Sequence, residues 1–314
     1  MLKQNQLLFL GGFPSGGTDL LKNILNTHPE IYINGEMPLL HRIDHLGYTS
    51  SSKISTHKEY LKFRDFLNIN DEWNNLENIK FEPINYPIDI STLLYHLFSQ
   101  KKQYVWGNKT PQNTENYLIL SKIFPDCKFI IITRDVRDIS LSWKKKWGKN
   151  IYLCADKWNK RMENVSKEFE NKQFLFIKYE DLLTNLKLTL EKITNHLDID
   201  FSKNMLEYHK FTETKIDGKI NYGMKINKEN SSKWKKYFTE KEIRRIEQIA
   251  YDSMKLYNYK IEYARSTLKI NLGYKILAKF HELFSLIFIG NKASKNNNLK
   301  KRLDSLKYEI KKRF

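Results

Sequence analysis

A glycine-rich turn near the amino terminus has the residue types and spacing of an anion-binding loop. The segment GGFPSGGTDLL at 11–21 follows the apolar run LLFL and precedes a stretch with helical spacing, so it predicts a strand, a turn and a helix. Backbone N–H groups and the helix dipole converge at such a turn and favour phosphate there. Gly11, Gly16 and Thr18 fit the Walker A spacing, but Gly17 stands where that pattern has lysine. Taken alone, the turn is also compatible with a connection that binds nothing.

Two further segments place cationic side chains after predicted strands. In FIIITRDVRDISLSW, at 129–143, Arg134 follows a buried strand and a helix continues through Ser142, so both side chains can face one ligand. An arginine binds a phosphate with two parallel hydrogen bonds, although Arg134 pairing with a nearby aspartate is an equal alternative. In WGNKTP, Lys109 follows another strand and can supply the charge that the glycine-rich turn lacks. An exposed lysine in a turn is the alternative there.

The elements that must position these residues alternate along the first half of the chain. Apolar runs predict five strands: LLFL, EIYIN, QYVWGN, KFIIIT and QFLFIK. Helical patterns lie between them: STLLYHLFSQ, NTENYLILSKIF and CADKWNKRMENVSKEFE. This alternation predicts an α/β fold, a parallel β-sheet flanked by helices that binds ligands beyond the carboxyl ends of its strands. Residues 50–87 and 216–235 are polar and irregular, and the first segment is either a lid over a substrate site or a surface excursion.

Together these segments resemble the sulfotransferases that use 3′-phosphoadenosine-5′-phosphosulfate (PAPS), over roughly residues 7–260. FLGGFPSGGTDLLKNILNTHPEI is similar to the family's 5′-phosphosulfate loop, and KFIIITRDVRDISLSW is similar to its 3′-phosphate motif. FIKYEDL and NSSKWKKYF stand where the family has a cofactor-binding tyrosine and a late loop over the nucleotide. The resemblance implies a P-loop-like sulfotransferase fold, with PAPS as donor, its desulfated form PAP as product, and no metal. The cofactor-binding residues it implies are Ser15, Gly16, Gly17, Thr18, Asp19, Arg134, Ser142, Lys146, Tyr179 and Lys233.

Within that family the likeness is to the tyrosylprotein-sulfotransferase branch. HPEIYINGEMPLL is similar to the branch's segment with a catalytic base, which implies that role for Glu36. GNKTP is similar to its NKDP motif, which implies that Lys109 stabilises the transition state. The acceptor hydroxyl would belong to a protein tyrosine or to a carbohydrate. An acid such as Glu36 also suits the first turn of a helix.

Two other classes of protein fit parts of the pattern. One is a P-loop nucleoside or sugar kinase, since the loop spacing and strand order suit it. The other is a non-enzymatic basic protein that binds nucleic acid or a membrane. The chain of 314 residues carries a net charge of +18, which favours an anionic partner or reflects lysines on a solvated surface. Its lysines extend along the whole sequence, which makes nucleic acid the less favoured partner.

The cysteines and the apolar segments narrow the class of protein further. Two cysteines exclude a disulfide framework and a cysteine-rich zinc site. The first residues do not have the pattern of a secretory signal, and no window is long and apolar enough to span a bilayer. We therefore expect a cytoplasmic protein whose contact with a membrane is at most peripheral.

The pattern changes after Tyr263. An amphipathic stretch leads to the linker NKASKNNN and then to the basic helical segment LKKRLDSLKYEIKKRF. We expect a sulfotransferase domain over residues 1–265 and a helical basic extension over 266–314. The last segment either docks on an anionic membrane, pairs with another subunit or stays solvated.

Overall fold

Seven strands and twelve α-helices make up the part of the chain that the computed structural model describes, residues 6–36, 48–49, 52–69, 85–98, 104–211 and 226–288. The strands are β1 (Gln6–Gly12), β2 (Ile31–Asn34), β3 (Lys53–Ile54), β4 (Ile88–Asp89), β5 (Val105–Lys109), β6 (Lys128–Thr133) and β7 (Phe174–Lys178). The helices are α1 (Thr18–Leu25), α2 (His57–Ile69), α3 (Ile90–Phe98), α4 (Tyr117–Ile123), α5 (Val136–Trp147), α6 (Ile151–Val165), α7 (Tyr179–Thr184), α8 (Leu186–His196), α9 (Trp234–Tyr237), α10 (Glu240–Ile249), α11 (Tyr251–Leu256) and α12 (Leu272–Phe288). Short 3₁₀ helices cover Pro111–Thr114, Ser166–Glu168 and Lys203–Lys210.

Five parallel strands form the central sheet in the order β2-β5-β1-β6-β7. β1 lies at the centre, hydrogen-bonded to β5 on one side and to β6 on the other. Strands of such sheets are buried on both faces, which is why they are continuous apolar runs in the sequence. All five predicted strands are confirmed, and the α/β fold with them. The carboxyl ends of the strands therefore meet at one edge, with the glycine-rich turn in the middle.

The two faces of the sheet bury two separate hydrophobic clusters. Along β1 the side chains alternate, so Leu8 and Leu10 join one cluster while Leu7 and Phe9 join the other. Helices α1, α7 and α8 cover the first face, and α3 to α6 together with α10 and α11 cover the second. The helix predicted over NTENYLILSKIF begins as a 3₁₀ turn, Pro111–Thr114, and becomes α-helical only at Tyr117.

The segment predicted to be irregular, 50–87, contains regular structure. Strand β3 pairs antiparallel with β4, and α2 follows β3. Apolar side chains explain this difference, since Ile54, Tyr60 and Phe63 are buried in the second face's core. Residues 70–84 lie outside the described part of the chain.

Residues beyond the predicted domain boundary at 265 pack on the central domain. Ile270 and Ala278 are buried, and Glu282 Oε1 accepts a hydrogen bond of 2.6 Å from the Asn150 N–H. The division at residue 265 stays a prediction, and the basic segment at 299–314 lies outside the described residues. Among the helices described, none has both the length and the apolar character needed to cross a bilayer.

Candidate active site

The turn between β1 and α1 is built by two residues in the left-handed backbone region. Ser15 has φ 68° and Gly17 has φ 100°. The Gly16 N–H donates to the Phe13 carbonyl at 2.7 Å, so this N–H closes the turn and is not directed at a ligand. The first N–H groups of α1, which begins at the buried Thr18, have no partners inside the helix and are the donors that the turn offers to an anion.

Tyr179 explains why Gly17 cannot be the lysine of a Walker loop. A Cβ atom on Gly17 would lie 2.3 Å from Cδ2 of the Tyr179 ring. The positive φ adds strain for any side chain at this position. Tyr179 is the first residue of α7, directly after β7, and its ring closes over the turn. A cation must therefore come from elsewhere.

Lys109 brings that cation from the neighbouring strand. It is the last residue of β5, opposite Leu10 of β1, and its side chain is only 3% exposed. Its ammonium lies 2.6 Å from Asp19 Oδ1 and 2.8 Å from Glu36 Oε1. The alternative of an exposed lysine in a turn is wrong, because the sheet register holds Lys109 inside the edge. Glu36 reaches it from the end of β2, the strand on the other side of β5.

Helix α1 contributes a carboxylate and a second cation to this cluster. The carboxylate of Asp19 pairs with Lys109, and the assignment of Asp19 to the cofactor stays a prediction. Lys22 lies one turn further along α1 and was not predicted. Burial lowers the pKa of Lys22, and the positive charge of Lys109 lowers it further. Its spacing of three residues from Asp19 was the signal in the sequence that could have identified it.

Arg134 connects the glycine-rich turn with the late loop at 226–233. Its Nη1 donates to the Ser15 carbonyl at 3.1 Å, and its Nη2 donates to the Asn230 carbonyl at 2.8 Å. Its guanidinium carbon lies 4.3 Å from the centre of the Tyr179 ring. Of the two aspartates considered as partners of Arg134, Asp135 binds Arg137 instead. Asp138 lies close enough to Arg134 for attraction between the charges.

The late loop closes on Arg134 and Tyr179 through the predicted residue Lys233 and through Asn230, which is not among the predicted residues. Asn230 Nδ2 donates to the Tyr179 hydroxyl at 2.6 Å, and Lys233 Nζ donates to Asn230 Oδ1 at 2.6 Å. The Asp138 carboxylate accepts from the N–H groups of Ser232 at 2.7 Å and of Trp234 at 3.1 Å. The structure thus brings the predicted residues Arg134, Tyr179 and Lys233 together. The sequence placed Asn230 in a segment without periodicity, which gave no signal for it.

A buried ion pair packs against Trp234, the residue that follows the late loop. Arg137 Nη1 donates to Glu247 Oε1 at 2.6 Å, and both side chains are buried. The Arg137 guanidinium also lies 3.9 Å from the centre of the Trp234 ring. Trp234 follows Lys233, so this stack holds the end of the loop against α5.

Two predicted cofactor-binding residues lie on α5 and are not bonded to Arg134. Ser142 is half-buried and Lys146 is exposed. In the described part of the chain, no hydrogen bond or ion pair joins either side chain to Arg134. The assignments of Ser142 to the 3′-phosphate and of Lys146 to a further cofactor contact stay predictions.

Three buried polar atoms around the turn have no hydrogen-bond partner within the described residues. They are Ser15 Oγ, Thr114 Oγ1 and Arg134 Nε. Buried donors are nearly always satisfied, so an unsatisfied group of this kind fits a site that an oxyanion completes. Among the residues described, no cluster of histidine, cysteine or acidic side chains is arranged to hold a metal ion.

A cavity of about 220 Å³ lies beside α7, the helix that begins with Tyr179. Burial, together with the neighbouring Tyr179, raises the pKa of the Tyr208 phenol in its wall to about 12. The cavity is largely apolar and is lined by Leu182, Leu183, Thr184, Leu186, Leu206, Tyr208, His209, Ile226 and Lys228. Its walls suit a flat aromatic group better than a charged one.

Comparison with known proteins decides the family. The sequence pattern of the Sulfotransferase family matches residues 8–203. This chain belongs to the Sulfotransferase family. The membership confirms the predicted class of enzyme, and the comparisons support neither the kinase nor the non-enzymatic alternative.

Relatives of this sulfotransferase carry a more specific name. A putative protein-tyrosine sulfotransferase of Caenorhabditis briggsae is 24% identical over 262 residues, which are 78% of this chain and 86% of that protein. Protein-tyrosine sulfotransferase A of Caenorhabditis elegans is 25% identical over 66% of this chain and 53% of its own length. Protein-tyrosine sulfotransferase 2 of Gallus gallus is 26% identical over 74% of this chain and 64% of its own length. The match thus spans only about half to two thirds of the last two proteins.

Solved sulfotransferase domains share the fold. The sulfotransferase domain of the Synechococcus PCC 7002 olefin synthase is 17% identical, with a TM-score of 0.57 over 83% of this chain and 98% of that one. The sulfotransferase domain of the curacin biosynthetic pathway is 16% identical, with a TM-score of 0.54 over 82% and 99%. The predicted sulfotransferase fold is confirmed.

Proposed function

We propose that this sulfotransferase transfers the sulfuryl group of PAPS to the hydroxyl of a protein tyrosine. The observation that carries the proposal is the buried ammonium of Lys109, held between Glu36 and Asp19 beside the glycine-rich turn. A carboxylate for the acceptor proton and a cation for the leaving group are what transfer to a hydroxyl requires. The names of the relatives support tyrosine as the acceptor.

The residues around the turn fit a donor whose ribose carries phosphate at its 3′ and 5′ positions. The N–H groups at the start of α1 and the unsatisfied Ser15 hydroxyl would hold the 5′ group, next to Thr18. Arg134, through its unsatisfied Nε, would hold the 3′-phosphate, with Tyr179 and the late loop above the nucleotide. The apolar cavity beside Tyr208 would take the base. Bound PAPS supplies a sulfuryl group attached to a phosphate leaving group.

Glu36 acts as the general base in this proposal. Its side chain is one-third exposed, so an acceptor hydroxyl can approach it from solvent while Lys109 fixes its orientation from inside. Removal of the hydroxyl proton by a positioned carboxylate typically contributes about 10²–10⁴-fold to the rate.

Lys109 stabilises the negative charge that develops on the leaving oxygen. Its ammonium is almost fully buried, and a fixed charge in a water-poor site acts more strongly than one in water. The pair with Asp19 gives Lys109 a second anchor. When Glu36 takes up the acceptor proton and loses its negative charge, the carboxylate of Asp19 still holds the ammonium in place.

Transfer of a radioactive sulfuryl group tests the proposal directly. The protein is incubated with ³⁵S-labelled PAPS and a peptide library that contains one tyrosine, next to a matched library with phenylalanine in its place. We expect label on the tyrosine library only, and none for Glu36→Gln. Label on a panel of carbohydrates with none on tyrosine would contradict the acceptor. Consumption of ATP with magnesium and none of PAPS would contradict the donor.

We also propose that the protein works in the cytoplasm. The cysteines Cys127 and Cys154 are free and buried, which fits a reducing compartment and motivates this proposal. Fractionation of cells that express the full natural protein tests it, and recovery in a secretory compartment would contradict it.

A further inference from the structure

Helix α12 presents an apolar face to solvent. Leu272, Ile276, Leu277 and Phe280 are 47–70% exposed. Residues 272, 276 and 280 are four apart and Leu277 adjoins them, so all four side chains lie along one side of the helix. We call these four side chains the α12 face. Single exposed apolar residues are ordinary, but a row of four on one helix marks a surface that binds something.

The opposite side of α12 fixes the helix to the domain. Ala278 is buried, and Tyr274 packs against the hydrophobic core. Lys275 Nζ lies 3.1 Å from Asp156 Oδ2, and Glu282 Oε1 accepts from the Asn150 N–H. The helix is therefore held by its inner side with the α12 face turned outward, and burying that face requires a partner.

The segment of the sequence that contains α12 is strongly basic. Residues 266–314 contain twelve lysines and arginines against three acidic residues, a net charge of +9, which is half of the net charge of the whole chain, +18. Asn150, which Glu282 contacts, follows the lysine-rich end of α5, where Lys144, Lys145 and Lys146 are exposed. Although lysines occur along the whole sequence, half of the excess of basic over acidic residues thus falls in the segment that contains α12.

This charge selects among the possible occupants of the α12 face. A second copy would bring another net charge of +18 against the first, which opposes association. The chain's own residues after 288 are also basic and carry the same sign. A bilayer with anionic headgroups offers both an apolar layer for the four side chains and negative charge for the lysines of α12 and of the end of α5.

We propose that α12 docks this protein on an anionic membrane surface, with the helix in the plane of the interface and the α12 face among the acyl chains. The helix lies on the bilayer and does not cross it. The docking is independent of the sulfuryl-transfer proposal, since none of these four residues belongs to the candidate active site.

Co-sedimentation of the full chain with vesicles tests the docking. Vesicles of phosphatidylcholine alone are compared with vesicles that also contain phosphatidylserine. We expect binding to the mixed vesicles that weakens as salt is raised. The double variant Ile276→Ser/Phe280→Ser removes two side chains of the α12 face, and its partition coefficient should fall at least about ten-fold.

The matched control removes two exposed leucines elsewhere. Leu118 on α4 and Leu188 on α8 are 64% and 61% exposed, and Leu118→Ser/Leu188→Ser should bind vesicles like the wild-type chain. A thermal melt of each variant confirms that it is folded. Equal vesicle binding by the α12 variant and the wild-type chain would overturn the proposal. A dimer in gel filtration that Ile276→Ser/Phe280→Ser abolishes, without vesicle binding by the wild-type chain, would also overturn it and make the α12 face a self-association surface.

Discussion

The Lys109 ammonium lies 2.8 Å from the Glu36 carboxylate, although 73 residues separate the two in the sequence. The sheet order makes this contact, because β2 and β5 are parallel neighbours whose carboxyl ends meet. Each partner has different work in sulfuryl transfer. Substitutions at the two positions should therefore differ in which property of the reaction they change, and not only in how large the loss of activity is.

Replacing Glu36 with glutamine should lower turnover without weakening the binding of the nucleotide. The amide still accepts a hydrogen bond from Lys109 but no longer removes a proton, so we expect a loss of about 10²–10⁴-fold in kcat. Affinity for PAP, measured by calorimetry, should stay near the wild-type value. The loss should shrink for tyrosine peptides with ring fluorine atoms, because their more acidic hydroxyls need less help from a base. Wild-type turnover on an unmodified tyrosine peptide would remove Glu36 from the role of base.

Asp19 should matter only through Lys109. We expect Lys109→Met to lower kcat by about 10²–10³-fold, as for the loss of one preorganised donor. Asp19→Asn should lower it less, and should change little when Lys109 is already methionine. A double-mutant cycle measures this coupling, which we expect at about 0.5–3 kcal/mol for residues in contact. Additive effects, with a separate loss of PAP affinity in Asp19→Asn, would show that Asp19 binds the nucleotide as first predicted.

The late loop should hold the nucleotide through Asn230. Asn230→Ala removes the hydrogen bonds of its side chain to Tyr179 and Lys233. We expect PAP to bind about 10-fold more weakly, since one or two such bonds contribute about 1 kcal/mol each. Stopped-flow measurement should show the change in the rate of PAP release. The exposed Asn195 on α8 offers the control, and an equal effect of Asn195→Ala would contradict a specific role for Asn230.

The ion pair behind the loop should contribute to folding. Glu247 is fully buried and also accepts hydrogen bonds from the N–H groups of Glu262, Tyr263 and Ala264. Glu247→Ala leaves Arg137 with Asp135 as its remaining buried counter-ion and takes the acceptor away from these three N–H groups, so the free energy of unfolding in urea should fall by about 3–5 kcal/mol. The exposed pair of Glu240 with Arg244 lies on the same helix and supplies the control, Glu240→Ala, with little expected change. Similar losses for both variants would show that burial of Glu247 is not the cause.

The strands and the glycine-rich turn were predictable because their signals are local. An apolar run such as residues 129–132 identifies a buried strand without knowledge of its neighbours. The contacts that complete the site were not predictable, because they depend on packing between distant segments. The ring of Tyr179 lies over Gly17 because of the strand order, in which β7, the strand before Tyr179, stands two places from β1. Asn230 likewise has no neighbour in sequence that indicates its contact with Tyr179.

The structure brings some of the residues implied by the family likeness into contact and leaves others apart. These contacts also depend on packing between distant segments. The resemblance gives Glu36 and Lys109 separate roles in one reaction, and the sheet order places the two side chains in contact. Asp19 was expected at the cofactor and pairs with Lys109, because the first turn of α1 faces the end of β5. The assignments of Ser142 to the 3′-phosphate and of Lys146 to the cofactor depend on a bound nucleotide and stay predictions.

The binding of PAP compared with AMP tests the central claim most directly, because only PAP carries the 3′-phosphate. In calorimetry without magnesium, the wild-type chain should bind PAP much more tightly than AMP. Arg134→Ala should weaken PAP more than AMP, with a difference of about 1.5–3 kcal/mol for the lost charge-assisted hydrogen bond to the 3′-phosphate. Any smaller loss common to both nucleotides reflects the contacts of Arg134 with Ser15 and Asn230. Equal affinity of the wild-type chain for PAP and AMP, or tight binding of ATP with magnesium and none of PAP, would contradict the account.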